Sequence, residues 1–143
     1  MENREIKFRG LTVSGKWVYG LLARPLKAGI FSPHVKADHW YISNSVGVPF
    51  AFEVRPETVG QYTGLKDADG VESYQDDRVE CLIDGEAYGE PDIIGFEKGA
   101  FWLRRRNRSM ASWLEIEEYQ GKEVVADFRV IGNIHESPPP AAQ

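Results

Sequence analysis

Val79-Glu80-Cys81-Leu82-Ile83-Asp84-Gly85, followed by Ile93-Ile94-Gly95-Phe96-Glu97-Lys98-Gly99-Ala100-Phe101-Trp102-Leu103, decides the fold class. Short apolar runs are divided here by Asp-Gly and Lys-Gly, pairs that tolerate positive φ and reverse the chain. The spacing predicts strands over 79–83, 93–96 and 100–103, with Phe101 and Leu103 directed inward. Upstream, Asp69-Gly70 repeats the signal between Gln61-Tyr62-Thr63-Gly64-Leu65 and the 74–83 segment. Ile6-Lys7-Phe8-Arg9 and Trp17-Val18-Tyr19-Gly20-Leu21 alternate on either side of Ser14-Gly15, which reads as an opening hairpin. Trp40-Tyr41-Ile42 and Phe50-Ala51-Phe52-Glu53-Val54 are two more strands around a 44–49 loop, and Arg55-Pro56-Glu57 breaks the run. Downstream, residues 113–119 fit both helical and strand periods and read as a short helix or irregular turn. Residues 127–134 close as a strand, and Pro138-Pro139-Pro140-Ala141-Ala142 is a solvated tail whose prolines cannot donate to a sheet. The expected fold is mainly β, made of small, strongly bent sheets. It has an SH3-like type of barrel in the C-terminal half, about residues 61–134, and an N-terminal β extension over about 1–60.

A chain of 143 residues with 42% hydrophobic, 12% aromatic and 27% charged residues supports a core without disulfides or structural metal, and its composition excludes intrinsic disorder. No apolar run reaches the length of a membrane span, and the opening Met1-Glu2-Asn3-Arg4-Glu5 has no secretory h-region, so the expected compartment is the cytoplasm. Cys81 is the single cysteine, which excludes an intrachain disulfide and a thiolate metal cluster. Set in a strand flanked by acids that raise a thiol pKa, it reads as a buried structural residue. The net charge of -5 is uneven: 9 Lys/Arg against 7 Asp/Glu through Val71, then 8 against 15.

The candidate chemistry is sparse. Pro91-Asp92 followed by Glu97-Lys98 resembles a metal-dependent nuclease core, but that core needs its Glu and Lys two apart on one strand face, and here they are adjacent. Asp67-Ala68-Asp69-Gly70 resembles part of a calcium loop, yet the first ligand position holds Leu65. His34, His39 and His135 have no ligand spacing on a helix or strand. There is no Gly-rich phosphate loop and no nucleophile elbow. No catalytic residue, metal or cofactor is assigned. The segment with an interaction character is Phe101-Trp102-Leu103-Arg104-Arg105-Arg106-Asn107-Arg108. If its strand continues, Trp102, Arg104 and Arg106 share a face, and with Arg108 they form a candidate binding cluster. The acidity of the surrounding half disfavours nucleic acid and favours solubility, internal ion pairs or an acidic protein surface.

Arg4-Glu5-Ile6-Lys7-Phe8-Arg9-Gly10, the block from Glu57 through Thr58-Val59-Gly60-Gln61-Tyr62-Thr63-Gly64-Leu65-Lys66-Asp67-Ala68-Asp69 to Gly70, and Val130-Ile131-Gly132-Asn133-Ile134-His135-Glu136-Ser137-Pro138 together resemble the YopX family, in that family's order. The resemblance implies a mainly β protein encoded by phages, prophages and related mobile elements, with no established activity. It also implies one domain over 1–137, followed by the 138–143 tail. Gly60, Tyr62, Gly64, Asp69, Gly70, Tyr74, Asp77, Gly132 and Asn133 match its motifs and read as architectural. Where the family continues Tyr-Glu-Gly-Asp-Ile-Val, this chain has Tyr74-Gln75-Asp76-Asp77-Arg78-Val79. Asp76 thus stands in place of a glycine, and Asp is among the few residues able to adopt positive φ. The functional expectation is a non-enzymatic accessory protein that binds an unidentified host or phage protein, without nucleic acid or membrane. The alternatives are a structural homo-oligomer, or a metal-dependent hydrolase whose Asp76, Asp77, Glu90 and Asp92 converge in three dimensions.

Overall fold

Three hairpins turn on residue pairs that both carry positive φ: Asp84-Gly85 (52°, 83°), Lys98-Gly99 (52°, 77°) and Gln120-Gly121 (51°, 78°). Two such residues match the right-handed twist of the strands they join. The third pair was not anticipated from the sequence. The computed structural model describes residues 5–29, 34–44 and 49–136; the Pro-rich tail and positions 45–48 of the expected 44–49 loop lie outside them. The chain is mainly β, 50% strand and 6% helix, and divides into two compact units, 1–62 and 63–143.

The first unit holds β1 (Phe8–Leu11), β2 (Trp17–Gly20), β3 (Leu22–Ala23), β4 (Trp40–Ser43) and β5 (Ala51–Val54), then a single 3-10 turn (Pro56–Thr58) and the start of β6 (Gly60–Lys66). β1 pairs with β2 and with the first residues of β6, β3 with β4, and β4 with β5. A bridge from Thr12 to Val54 and the Arg55 N–H on Leu11 O (2.8 Å) return the path to β1. The expected N-terminal extension therefore closes around a core of its own. Val18, Ile42 and Val54 are buried, with Phe8, Leu22, Trp40, Phe52 and Val59 packed against them. The bend between β2 and β3 brings backbone against backbone: a Cβ on Gly20 would lie 2.6 Å from Ser43 O, so no larger residue fits that corner. Thr58 ties the 3-10 turn down, accepting from Leu11 N (2.8 Å) and donating to Arg55 O (2.6 Å).

The second unit continues β6 and adds β7 (Glu72–Tyr74), β8 (Asp77–Ile83), β9 (Glu86–Ala87), β10 (Asp92–Glu97), β11 (Ala100–Leu103), β12 (Arg108–Ser109), α1 (Met110–Leu114), β13 (Glu118–Tyr119), β14 (Lys122–Glu123) and β15 (Ala126–Asn133). Its main sheet runs β12-β11-β10-β8-β15, with β9 on β8, and curls as a half-barrel. A bulge between Val130 and Gly132 bends β15 against β8. Val79, Cys81, Ile94, Leu103, Met110, Trp113, Ala126 and Phe128 form the buried core, with Phe101 packed against it. Phe101 and Leu103 thus point inward as the alternation requires. The helix comes earlier than the 113–119 reading placed it, because Ser109 caps it: its Oγ accepts Ser112 N at 3.0 Å. Asp76 takes φ +73°, the conformation inferred from the glycine it replaces. Its N–H reaches Ile94 O and its carbonyl accepts Ile134 N.

Cys81 is buried in this core, and burial pushes its thiol up to about 11, with Arg106 opposing and Asp92 adding. The native thiol therefore keeps its proton through a range in which the unfolded thiol loses it, so stability falls as pH rises from about 9 towards 11. Urea melts across that range should show this loss, and Cys81→Ala should flatten it. An equal slope in the variant would assign the loss to other groups.

Candidate functional site

Asp92 opens β10 fully buried, and the turn that follows β11 is folded around it. Its Oδ1 accepts the N–H groups of Ile93 (2.8 Å) and Arg105 (2.7 Å), while Oδ2 accepts Arg106 N (3.1 Å) and Arg106 Nη1 (3.2 Å). The Arg106 guanidinium also donates to Glu90 O (3.1 Å) and to Tyr88 O, and stacks 5.3 Å from the Trp113 ring centroid. A buried carboxylate with four donors and a guanidinium with three oxygen acceptors and an aromatic face form a satisfied pair.

The strand ends at Leu103, so the alternation that would put Trp102, Arg104 and Arg106 on one face stops there. The arginines diverge instead. Arg104 lies over Gly95 and reaches Glu97 at 3.9 Å, Arg105 pairs with Glu90 at 2.8 Å, and Arg106 turns inward to Asp92. Arg108 donates from Nε to Ser112 Oγ (3.0 Å) and from Nη2 to Ser112 O (2.9 Å), and also lies 5.9 Å from Trp113. Trp102 is partly buried with Lys98 Nζ 5.6 Å from its ring. Beside them, the Tyr88 and Tyr119 hydroxyls meet at 2.7 Å, and that bond raises the Tyr119 phenol above its ordinary value. An arginine already held by a carboxylate, a carbonyl or a ring has fewer donors left for a ligand.

The motif residues occupy tight connections. Tyr62 is 5% exposed, its N–H on Lys7 O (2.8 Å) and the Lys7 ammonium 5.3 Å over its ring. Gly60 pairs with Arg9, and Gly64 and Gly70 carry positive φ (88°, 81°). Asp69 holds Arg129 at 2.9 Å. Asp77 Oδ2 accepts the N–H of the buried Tyr74 at 2.7 Å, Gly132 carries φ +148° at the bulge, and Asn133 Oδ1 accepts His135 N at 2.9 Å. The four acids of the hydrolase alternative have separate partners: Asp76 faces His135 at 3.5 Å, Asp77 faces Tyr74, Glu90 faces Arg105 and Asp92 faces Arg106. Among the described residues no three His, Cys, Asp or Glu side chains gather into a group able to hold a metal ion.

A cleft that the sequence reading missed lies in the first unit. It encloses about 270 Å³ between the start of β4, the end of β5 and the 3-10 turn, lined by Asp38, His39, Trp40, Glu53, Val54 and Pro56. Trp40 stands opposite Val54 and Tyr41 opposite Glu53 across the ladder. Tyr41 and Glu53 therefore share one face of the ladder, opposite that of Trp40 and Val54, and His39, just before β4, reaches the same carboxylate. His39 Nδ1 lies 3.0 Å from Glu53 Oε2, and Tyr41 Oη donates to Glu53 Oε1 at 3.4 Å while accepting Lys36 N at 2.9 Å. A carboxylate only accepts, so Nδ1 is the donor. Arg24 stacks 5.3 Å from the Trp40 centroid and reaches Asp38 at 3.7 Å. His39 and Glu53 are 14 residues apart, and only the β4–β5 register signals that they meet.

A family model described as YopX protein matches residues 24–139, most of the chain. The opening Arg4–Gly10 block of the resemblance lies outside that match. No curated protein and no solved structure matches the chain.

Proposed function

We propose, from the premise that this chain belongs to the YopX family, that it is a phage or prophage accessory protein acting by binding another protein rather than by catalysis. The observation that carries this reading is the cleft of the first unit, where Trp40, Pro56 and the ionisable Asp38, His39 and Glu53 line one concavity. Exposed apolar side chains in the same unit support it: Val13, Tyr19, Leu21, Leu26 and Phe50 are each more than half exposed. A second copy of the chain is the alternative occupant that those side chains support. The arginine cluster counts against nucleic acid, since its guanidiniums are engaged by Glu90, Asp92, Glu97 and Ser112.

Two measurements test the reading. The full chain, fixed as bait in extracts of phage-carrying cells, should retain a defined protein at fixed stoichiometry. Fluorescence anisotropy with labelled single- and double-stranded oligonucleotides should give no binding tighter than micromolar at physiological salt. Submicromolar oligonucleotide binding with a log–log salt slope of about -1.4, the value for two single-strand phosphate contacts by Arg104 and Arg105, would overturn it.

A further inference from the structure

Resting on that protein-binding reading but on a separate surface, we infer that the β13–β14 ribbon and the β8–β9 hairpin beside it dock a basic segment of a partner protein. β13 and β14 pair only with each other, and all four residues of their ladder are exposed, so this small sheet stands outside the core. Two clips hold it to the β8–β9 hairpin. At its base Val125 N donates to Asp84 Oδ1 and Asp84 N to Val125 O, both at 2.8 Å. Further out, the Tyr119 ring meets that of Tyr88 edge to face, 5.3 Å between centroids. An open cleft of about 440 Å³ lies at the base, lined by Asp84, Glu117, Glu123, Val124 and Val125.

Charge complementarity selects the occupant. Elsewhere in this unit Asp69, Glu80, Glu90, Asp92 and Glu97 each pair with an arginine. Among the described residues Asp84, Glu117, Glu118 and Glu123 have no such cation. The cost is visible inside the ribbon, where Glu118 stands directly opposite Glu123, a like-charge pair that opposes its own ladder. Lys122 does not relieve it, since it stands opposite Tyr119. A bound lysine or arginine supplies the missing charge. The apolar surface that adjoins the cleft makes the ligand a protein segment: Val125 is 68% exposed, Tyr88 40% and Tyr119 38%. Basic side chains lay their aliphatic stems on such groups, and apolar neighbours in the same segment extend the cover, which a free polyamine lacks. An acidic segment would be repelled.

The test is fluorescence anisotropy of the full chain with a labelled peptide of arginine and leucine separated by serine, with ¹⁵N amide shifts to locate it. The amides of Asp84, Glu117, Tyr119 and Val125 should shift. The double variant Glu117→Gln, Glu123→Gln should bind about fivefold more weakly, the loss of two exposed ion pairs. Its melting temperature should not fall, because neither carboxylate has an ion-pair partner and Glu118 loses a like-charge neighbour. Asp84 stays intact in the test because its carboxylate holds Val125 N. Glu57→Gln with Glu136→Gln removes the same net charge from exposed positions elsewhere and should leave the affinity unchanged. Val125→Ser should weaken the leucine peptide a few-fold and leave an alanine-for-leucine peptide unaffected. Equal weakening in both double variants, which is attraction to net charge alone, would overturn the inference. So would shifts centred elsewhere, or displacement of the peptide by an equal concentration of spermine. If the protein captured from phage-carrying cells binds the Glu117→Gln, Glu123→Gln variant as tightly as the parent, the docking surface falls while the protein-binding reading stands. If nothing is captured but the peptide binds with the stated discrimination, the surface stands without that partner.

Discussion

Asp92→Ala should cost about 3–5 kcal/mol of stability, the range expected when one member of a buried ion pair is removed. The variant strands four groups at once. Arg106, with only 15% of its side chain exposed, loses its carboxylate, and the N–H groups of Ile93, Arg105 and Arg106 lose their acceptor. Removal of the other partner should be milder. Arg106→Met leaves Asp92 still holding three backbone N–H groups, two of them from the turn it organises. The expected order is therefore Asp92→Ala well below Arg106→Met, and both below the parent, in urea denaturation followed by circular dichroism. A loss under about 1 kcal/mol for Asp92→Ala would mean that the turn finds other acceptors, and the description of this pair as the organiser of the 104–107 turn would fail.

Legibility in the sequence followed the range of the physics involved. Asp84-Gly85 and Lys98-Gly99 announced themselves because positive φ is a local demand that few residues meet. The replacement of a family glycine by Asp76 was readable for the same reason. The ambiguous period of residues 113–119 drew the helix too late, and the Ser109 cap that starts it was missed. The fate of the arginines was not readable. Alternation continued on paper through Arg106, whereas the strand yields at Leu103 because Asp92, 14 residues earlier than Arg106, supplies acceptors that only a turn can reach. The cleft was equally hidden. His39 showed no ligand spacing, and it meets Glu53 only because the β4–β5 register sets Tyr41 against Glu53, which nothing local in either segment encodes.

Asp67→Ala should cost about 3 kcal/mol, because this one carboxylate fastens the 67–70 turn and the free edge of β15 together. Its Oδ1 accepts Asp69 N (2.8 Å) and Val71 N (2.9 Å), and its Oδ2 accepts Val130 N (2.8 Å), while Ala68 N donates to Phe128 O (2.9 Å). β15 ends the main sheet, so these bonds satisfy an edge that would otherwise stay open to pairing. Asp67 is only 7% exposed, so water replaces little of what the alanine variant loses. Asp67→Asn separates the two functions of the carboxylate. Its oxygen can keep the turn, but its amide then faces the Val130 N–H, donor against donor, so about half the loss should persist, with amide exchange accelerated at Val130 and little changed at Asp69. The same geometry decides the calcium question. Both Asp67 oxygens are committed to backbone donors, and Asp69 turns outward to Arg129. Millimolar calcium should therefore leave the melting temperature of the parent unchanged. A rise of several degrees with calcium, lost in Asp67→Asn, would show instead that these oxygens abandon the backbone for a cation, and the edge-fastening role argued here would be wrong.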